Sequence, residues 1–309
     1  MKLRGSMVAL VTPFHIGAVD EAALKQLIEL HVRSGTSALV PCGTTGESAT
    51  LSHEEHDRVI ECVIQAARGR LPVIAGTGSN NTAEAIRLTK HAKKAGADAA
   101  LLIAPYYNRP TQQGLYLHFK AIAEAVDLLL IPYNIASRTG VNIEPETFQR
   151  LADINNIVGV KEASGNLEQM SRIKALCGES FALISGDDVL TLPIFAIGGV
   201  GVISVVANLV PQDVASMIDA FERGKLQDAQ RQHERLLPLT KALFLETNPI
   251  PVKTAMGWLG QIAPELRLPL CSMSEANQGK LQQALEAYGL KPLTTHHAPV
   301  TRTAKAKRS

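Results

Sequence analysis

LLLIPYNIASRTGVNIEPETFQRLADINNIVGVK, residues 128–161, contains one complete strand–helix–strand unit. It opens on an apolar run, Leu128–Asn134, and passes a polar turn. It enters a helical pattern with Pro145 in the first turn and closes on a second run, Ile157–Lys161. Both runs are almost continuously apolar rather than alternating, the pattern of parallel strands covered on both faces. The unit repeats in both directions. MVALV (Met7–Val11), ALVP (Ala38–Pro41), PVIAG (Pro72–Gly76) and AALLI (Ala99–Ile103) precede it, and FALIS (Phe181–Ser185) and GVISV (Gly201–Val205) follow.

The helices between these runs have explicit ends. Asp20 caps a segment with Leu24, Leu27, Ile28 and Val32 at helical spacing, closed by Gly35. Ser52 and Glu55 have capping-box spacing ahead of Val59, Ile60, Val63 and Ile64, with Gly69 as the stop. Gly96, Gly178 and Gly224 read as further C-terminal stops. Eight strand–helix units predict an α/β fold, a (β/α)8 TIM barrel over residues 1–224, because each crossover favours a parallel neighbour and eight strands close the sheet. An open doubly wound sheet would carry a glycine-rich dinucleotide fingerprint after its first strand; Thr12-Pro13-Phe14-His15 stands there instead. After Gly224 the strand signals stop. Lys225–Leu245, Ile250–Leu259 and Ser274–Tyr288 are helical in pattern, an all-helical C-terminal extension over residues 225–293. Residues 294–309 form a basic tail expected to be disordered.

Composition narrows the function classes. Of 309 residues, 46% are hydrophobic and 19% charged, which places the chain among ordinary globular proteins. The net charge of +2 has a local origin: the tail holds Arg302, Lys305, Lys307 and Arg308 and no acid, so the remainder is slightly acidic. With only 4% aromatic residues there is neither a general basic footprint nor a set of stacking platforms for nucleic acid. The cysteines Cys42, Cys62, Cys177 and Cys271 are scattered without metal-ligand spacing, as in a reducing compartment. No signal-peptide pattern and no unbroken apolar run of membrane-spanning length is present, so a soluble, cytoplasmic protein is expected.

In a barrel of this kind chemistry belongs at the C-terminal strand ends. Period-2 alternation puts Ile157, Gly159 and Lys161 on one strand face and Val158 and Val160 on the other. If the first face points inward, Lys161 enters the barrel mouth. Desolvation would lower its pKa and let the neutral amine attack a ketone to form a Schiff base; a structurally paired lysine is the other reading. Tyr133, inward with Leu129 and Ile131, suits a proton shuttle or a core position. Arg138, in SRTG, could grip a carboxylate bidentately or simply be a surface arginine. Gly43-Thr44-Thr45-Gly46-Glu47 offers exposed backbone N–H groups to a carboxylate, or forms a plain tight turn; it lacks the lysine of a phosphate-binding loop.

Taken together, these motifs resemble the dihydrodipicolinate synthase family of pyruvate-dependent class I aldolases and lyases. The resemblance runs from VALVTPF at Val8 to about Pro292. It includes GTTGESATL at Gly43, PVIAGTGSN at Pro72, APYYNRP at Ala104, YN-x-x-SRTG at Tyr133, VGVKEASGN at Val158, SGDD at Ser185 and GVISV at Gly201. It implies that Lys161 forms a Schiff base with pyruvate, whose carboxylate rests on the amides of Thr44 and Thr45. Thr44, Tyr133 and Tyr107 would relay protons, Tyr107 reaching in from a neighbouring subunit. Arg138 would hold the carboxylate of aspartate semialdehyde, with Gly186 and Ile203 on the pocket wall. The product would lie on the route to diaminopimelate and lysine, and no metal or organic cofactor is implied. A tetramer, as a dimer of dimers, is the family's common assembly. Ala49, His53, His56, Asn80, Glu84 and Tyr106 match positions that bind lysine in inhibited members; His-Glu-Glu-His lacks zinc spacing.

Neighbouring possibilities are a sugar-acid aldolase with the same lysine chemistry, such as N-acetylneuraminate lyase, and a non-catalytic barrel that senses lysine. Arg138 and the Tyr106-Tyr107 pair argue against the first, and the set of Lys161, Tyr133 and Thr44 against the second. Two positions depart from the expected pattern. Pro132 removes a ladder donor from a presumed central strand, and Ala136 replaces the proline often found in the family's YN-x-P turn.

Overall fold

A computed structural model describes residues 3–293; the basic tail expected at 294–309 lies outside the described residues. Eight parallel strands follow the expected runs: β1 Gly5–Ala9, β2 Ala38–Val40, β3 Ile74–Gly76, β4 Ala99–Ile103, β5 Leu129–Asn134, β6 Gly159–Glu162, β7 Ala182–Ser185 and β8 Gly201–Ser204. Their ladder runs β2-β1-β8-β7-β6-β5-β4-β3. A parallel bridge between Leu39 and Val73 joins its two ends, supported by Leu39 N–H donating to Pro72 O at 2.9 Å. The sheet is therefore a closed barrel, which removes both edges.

Helices α1 Glu21–Arg33, α2 His53–Ala67, α3 Thr82–Ala95, α4 Gln112–Ala125, α5 Pro145–Ala152, α6 Leu167–Cys177, α7 Thr191–Ala196 and α8 Pro211–Glu222 follow the strands in turn. The caps read from the sequence form. Asp20 Oδ1 accepts from Ala23 N at 2.9 Å, and Ser52 and Glu55 exchange both capping-box bonds. Helices α9 Leu226–Ala242, α10 Ile250–Trp258 and α11 Glu275–Tyr288 make the C-terminal extension. One hydrophobic cluster runs through both parts: Leu236, Leu239, Val252, Met256, Leu281 and Leu285 pack with Val8, Leu24 and Val59. A second, inner cluster fills the barrel with Met7, Ala38, Ile74, Leu101, Ile131, Tyr133, Ile184 and Ile203. No helix among the described residues is long and apolar enough to cross a membrane.

The structure corrects the reading of β6. Ile157 belongs to a third cluster, outside the sheet, with Val160 and Leu183, whereas Val158 packs against the inner one. Strict alternation would have Ile157 share Lys161's face; it does not. The reason is a one-residue bulge. Leu130 faces Ile157, but Tyr133 faces Lys161, so three steps on β5 run beside four on its neighbour. Pro132 lies within the mismatched stretch, so its missing N–H falls where regular pairing is already interrupted. The sequence also concealed a small antiparallel hairpin, Phe14–His15 with Ala18–Val19. Its turn residues Ile16 and Gly17 have φ of 53° and 81°, a conformation usually announced by Asn-Gly rather than by a β-branched residue.

Candidate active site

The inner face of β5 and β6 delivers Tyr133 and Lys161 side by side at the C-terminal mouth. They are register partners, and the Lys161 ammonium nitrogen lies 4.1 Å from the centre of the Tyr133 ring. Lys161 is only 6% exposed. Its burial pulls the amine down to about 7, helped by the Arg138 charge and opposed by Asp188. Burial raises the Tyr133 phenol, while the Arg138 charge and the nearby Thr44 side chain act in the opposite sense. The amine is thus partly neutral near pH 7, and the tyrosine keeps its phenolic proton there.

The wall behind Lys161 is shaped by Gly186. A Cβ there would lie 3.1 Å from Lys161 Cε and 2.8 Å from Ala163 Cβ, so glycine leaves the lysine its channel. Ile203, on β8, is buried in the inner cluster. The loop 43–47 stands after β2. Its turns use the N–H groups of Gly46, Glu47 and Ser48, whereas the Thr44 and Thr45 amides donate to no carbonyl among the described residues. Two adjacent amides left available in this way suit one carboxylate. Thr45 is buried and its hydroxyl accepts from Asn248 Nδ2 at 3.0 Å.

Arg138 sits in a one-turn helix, Ala136–Thr139, closed by Gly140 N–H donating to Ala136 O at 2.9 Å. Ala136 therefore opens a regular turn in the place of the expected proline. Arg138 Nη2 donates to Asn248 O at 3.2 Å, so one residue of the C-terminal extension touches both Thr45 and Arg138. Tyr107 stands apart from this group, 90% exposed at a φ of 72°.

On the outer side of the loop, His53 Nε2 meets Glu84 Oε1 at 2.8 Å, and Ser79 donates to the other Glu84 oxygen. These hydrogen bonds lower the Glu84 carboxyl, against its partial burial. Asn80 Nδ2 donates to Tyr106 O at 3.2 Å, and Tyr106 and Ala49 are exposed beside them. His56 differs from the other five. It is buried and directs Nε2 at Gly76 O, 2.9 Å away, so it backs the cluster rather than facing solvent.

Residues 2–288 match the Dihydrodipicolinate synthetase family. The chain belongs to this family. Membership makes it a pyruvate-dependent lyase. A 4-hydroxy-tetrahydrodipicolinate synthase of Syntrophus aciditrophicus is 59% identical over 287 residues, 93% of this chain and 99% of the relative. The crystal structure of dihydrodipicolinate synthase from Aquifex aeolicus superposes with a TM-score of 0.93 at 52% identity, covering 95% of this chain and all of that one. An Acinetobacter baumannii synthase complexed with pyruvate gives 0.91 at 46% identity, covering 94% and 100%. A Cyanidioschyzon merolae synthase with lysine bound gives 0.91 at 44%, covering 93% and 99%.

Two groups near this family's lysine were not read from the sequence. Asn134 and Glu162 follow Tyr133 and Lys161 on the outward face. The fully buried Glu162 carboxylate accepts from Ser164 N–H and from Asn134 Nδ2 at 3.0 Å, which ties β5 to β6 beside the reactive pair. Asp188 lies in the quoted SGDD motif, and its Oδ2 accepts from Val205 and Val206 N–H at 2.9 and 3.1 Å. All three residues sat in motifs already in view, Asn134 in YN-x-x-SRTG, Glu162 in VGVKEASGN and Asp188 in SGDD, but no role was read for them.

Proposed function

We propose that the chain carries out its family's synthase reaction, the condensation of pyruvate with aspartate semialdehyde, through a Schiff base on Lys161. The observation that carries this is the buried Lys161 amine, lowered to about 7 and seated against Tyr133. Pyruvate's carboxylate rests on the Thr44 and Thr45 amides while the neutral amine attacks its ketone. Loss of water gives an iminium, which makes the methyl group acidic because the cation takes up the carbanion's electrons. Thr44 and Tyr133 move the protons, joined by Tyr107 of a neighbouring subunit; the outward presentation of Tyr107 supports that role. The enamine then attacks the aldehyde, whose substrate carboxylate is held by Arg138. Finally the substrate amine displaces Lys161 and closes the ring to hydroxy-tetrahydrodipicolinate. A homotetramer working in the cytoplasm fits this reading, and no cofactor enters it.

Incubation with pyruvate and borohydride, followed by peptide mapping, tests the mechanism. A reduced pyruvyl adduct on Lys161 and ring product from aspartate semialdehyde are expected. An adduct without turnover of the semialdehyde would move the assignment to a sugar-acid aldolase, and no adduct would sink the Schiff-base mechanism. The pH dependence has a definite sign. Because the folded amine titrates near 7 rather than at 10.5, the reactive neutral form is lost as pH falls through that value. The rate of adduct formation should fall about tenfold per pH unit below it. A limb centred near 10 instead would mean that burial does not set the amine.

We further propose that lysine inhibits the enzyme at the outer cluster, with Glu84 receiving its ammonium and Tyr106, His53, Ala49 and Asn80 around it, backed by His56. Saturating lysine should slow turnover, and Glu84→Ala should weaken inhibition by about tenfold or more, the value of a charge-assisted hydrogen bond. A wild-type rate unaffected by lysine would refute this.

A further inference from the structure

Loop 43–47 is gripped from two sides. Thr12 Oγ1 donates to Gly46 O at 2.7 Å, and Gly46 itself has no room for a side chain, since a Cβ would lie 3.0 Å from Cys42 N. The other grip comes from the C-terminal extension. Lys253, on α10, is fully buried and donates to the carboxylate of Glu47, the last residue of the loop, and to Thr12 O at 3.0 Å. Its ammonium also lies 4.2 Å from the Phe14 ring centre. Glu47 is equally buried and has a φ of 52°, a conformation an L-residue holds only when its surroundings fix it. The second Glu47 oxygen accepts from Arg267 N–H at 3.3 Å. Just before α10, Asn248 Nδ2 donates to the Thr45 hydroxyl.

We propose that Asn248 and Lys253 are positioning residues that aim the Thr44 and Thr45 amides at the pyruvate carboxylate. They would act through Thr45 and Glu47, from a segment of the chain that contributes nothing else to the pyruvate end of the site. The proposal rests on the pyruvate reading given above. Its signature is selectivity: pyruvate capture suffers, and the later step with aspartate semialdehyde does not.

The test uses the full-length enzyme and compares kcat/KM for pyruvate with kcat/KM for aspartate semialdehyde, alongside borohydride trapping and thermal unfolding. Lys253→Met should lower the pyruvate value by about 30-fold, in the range a sub-ångström misplacement of binding groups costs. The semialdehyde value should fall less than about threefold. Asn248→Ala leaves the ion pair intact and should lower the pyruvate value about fivefold, the worth of one hydrogen bond. The double variant Lys253→Met/Glu47→Gln removes both buried charges. It should regain thermal stability while pyruvate capture stays impaired. If Lys253→Met alone does not fold, Asn248→Ala and the double variant carry the test. Equal proportional losses for both substrates, or an unchanged pyruvate value, would overturn the proposal. Wild-type enzyme that traps no pyruvate would overturn the functional reading and the positioning role with it; normal trapping with unaltered variants would overturn the positioning role alone.

Discussion

Replacing Lys161 by alanine is expected to abolish the borohydride-trapped pyruvyl adduct and to lower turnover by on the order of 10⁴-fold or more, because no other group can supply the covalent electron sink. Lys161→Arg should not rescue it, since a guanidinium stays protonated and cannot attack a ketone. The chain holds a second buried lysine, which makes the result specific. Lys253 is just as desolvated, yet its ammonium is occupied by the Glu47 carboxylate and the Thr12 carbonyl. Lys161 has Asp188 only as a through-space charge and an aromatic ring at 4.1 Å. Peptide mapping should therefore find the adduct at Lys161 and none at Lys253. Residual adduct in the alanine variant would assign the chemistry to a different amine.

Tyr133→Phe is expected to lower kcat by about 10²–10³-fold, the usual worth of a positioned proton-transfer group. The phenyl ring would keep its place against Lys161, so the adduct should still form at saturating pyruvate, only more slowly. Rapid-quench measurement of adduct formation separates this from a folding defect, since a misfolded fraction would lower the amount of adduct rather than its rate. A variant within about threefold of wild type would remove Tyr133 from the relay.

Much of the architecture is legible because it follows local rules. Each barrel strand is a short apolar run, and Asp20, Ser52 and Glu55 cap where their side chains can reach unpaired amides. The face assignment at Ile157 fails because alternation assumes an unbroken ladder. Pro132, the residue that signals the break, belongs to the neighbouring strand. Lys161 and Tyr133 are readable as candidate reactive residues because both stand at strand ends. Asn248 and Lys253 are not. Lys253 lies in helical sequence whose pattern speaks only of packing, Asn248 lies in the short link before it, and their partners Thr45 and Glu47 are 203 and 206 residues away. Tyr107 illustrates a different limit, for the resemblance assigns its contacts to a second chain.

The reach of the Glu47–Lys253 pair also bears on how the enzyme is made. At roughly 5–20 residues per second, the ribosome adds Lys253 on the order of 10–40 s after Glu47. For that interval the nascent barrel carries a carboxylate whose buried partner does not yet exist, and such a group stays in water or takes up a proton. Loop 43–47, to which we assign the pyruvate carboxylate, is thus among the last parts of the molecule to set, and its final closure follows the birth of the C-terminal helices rather than of the barrel itself.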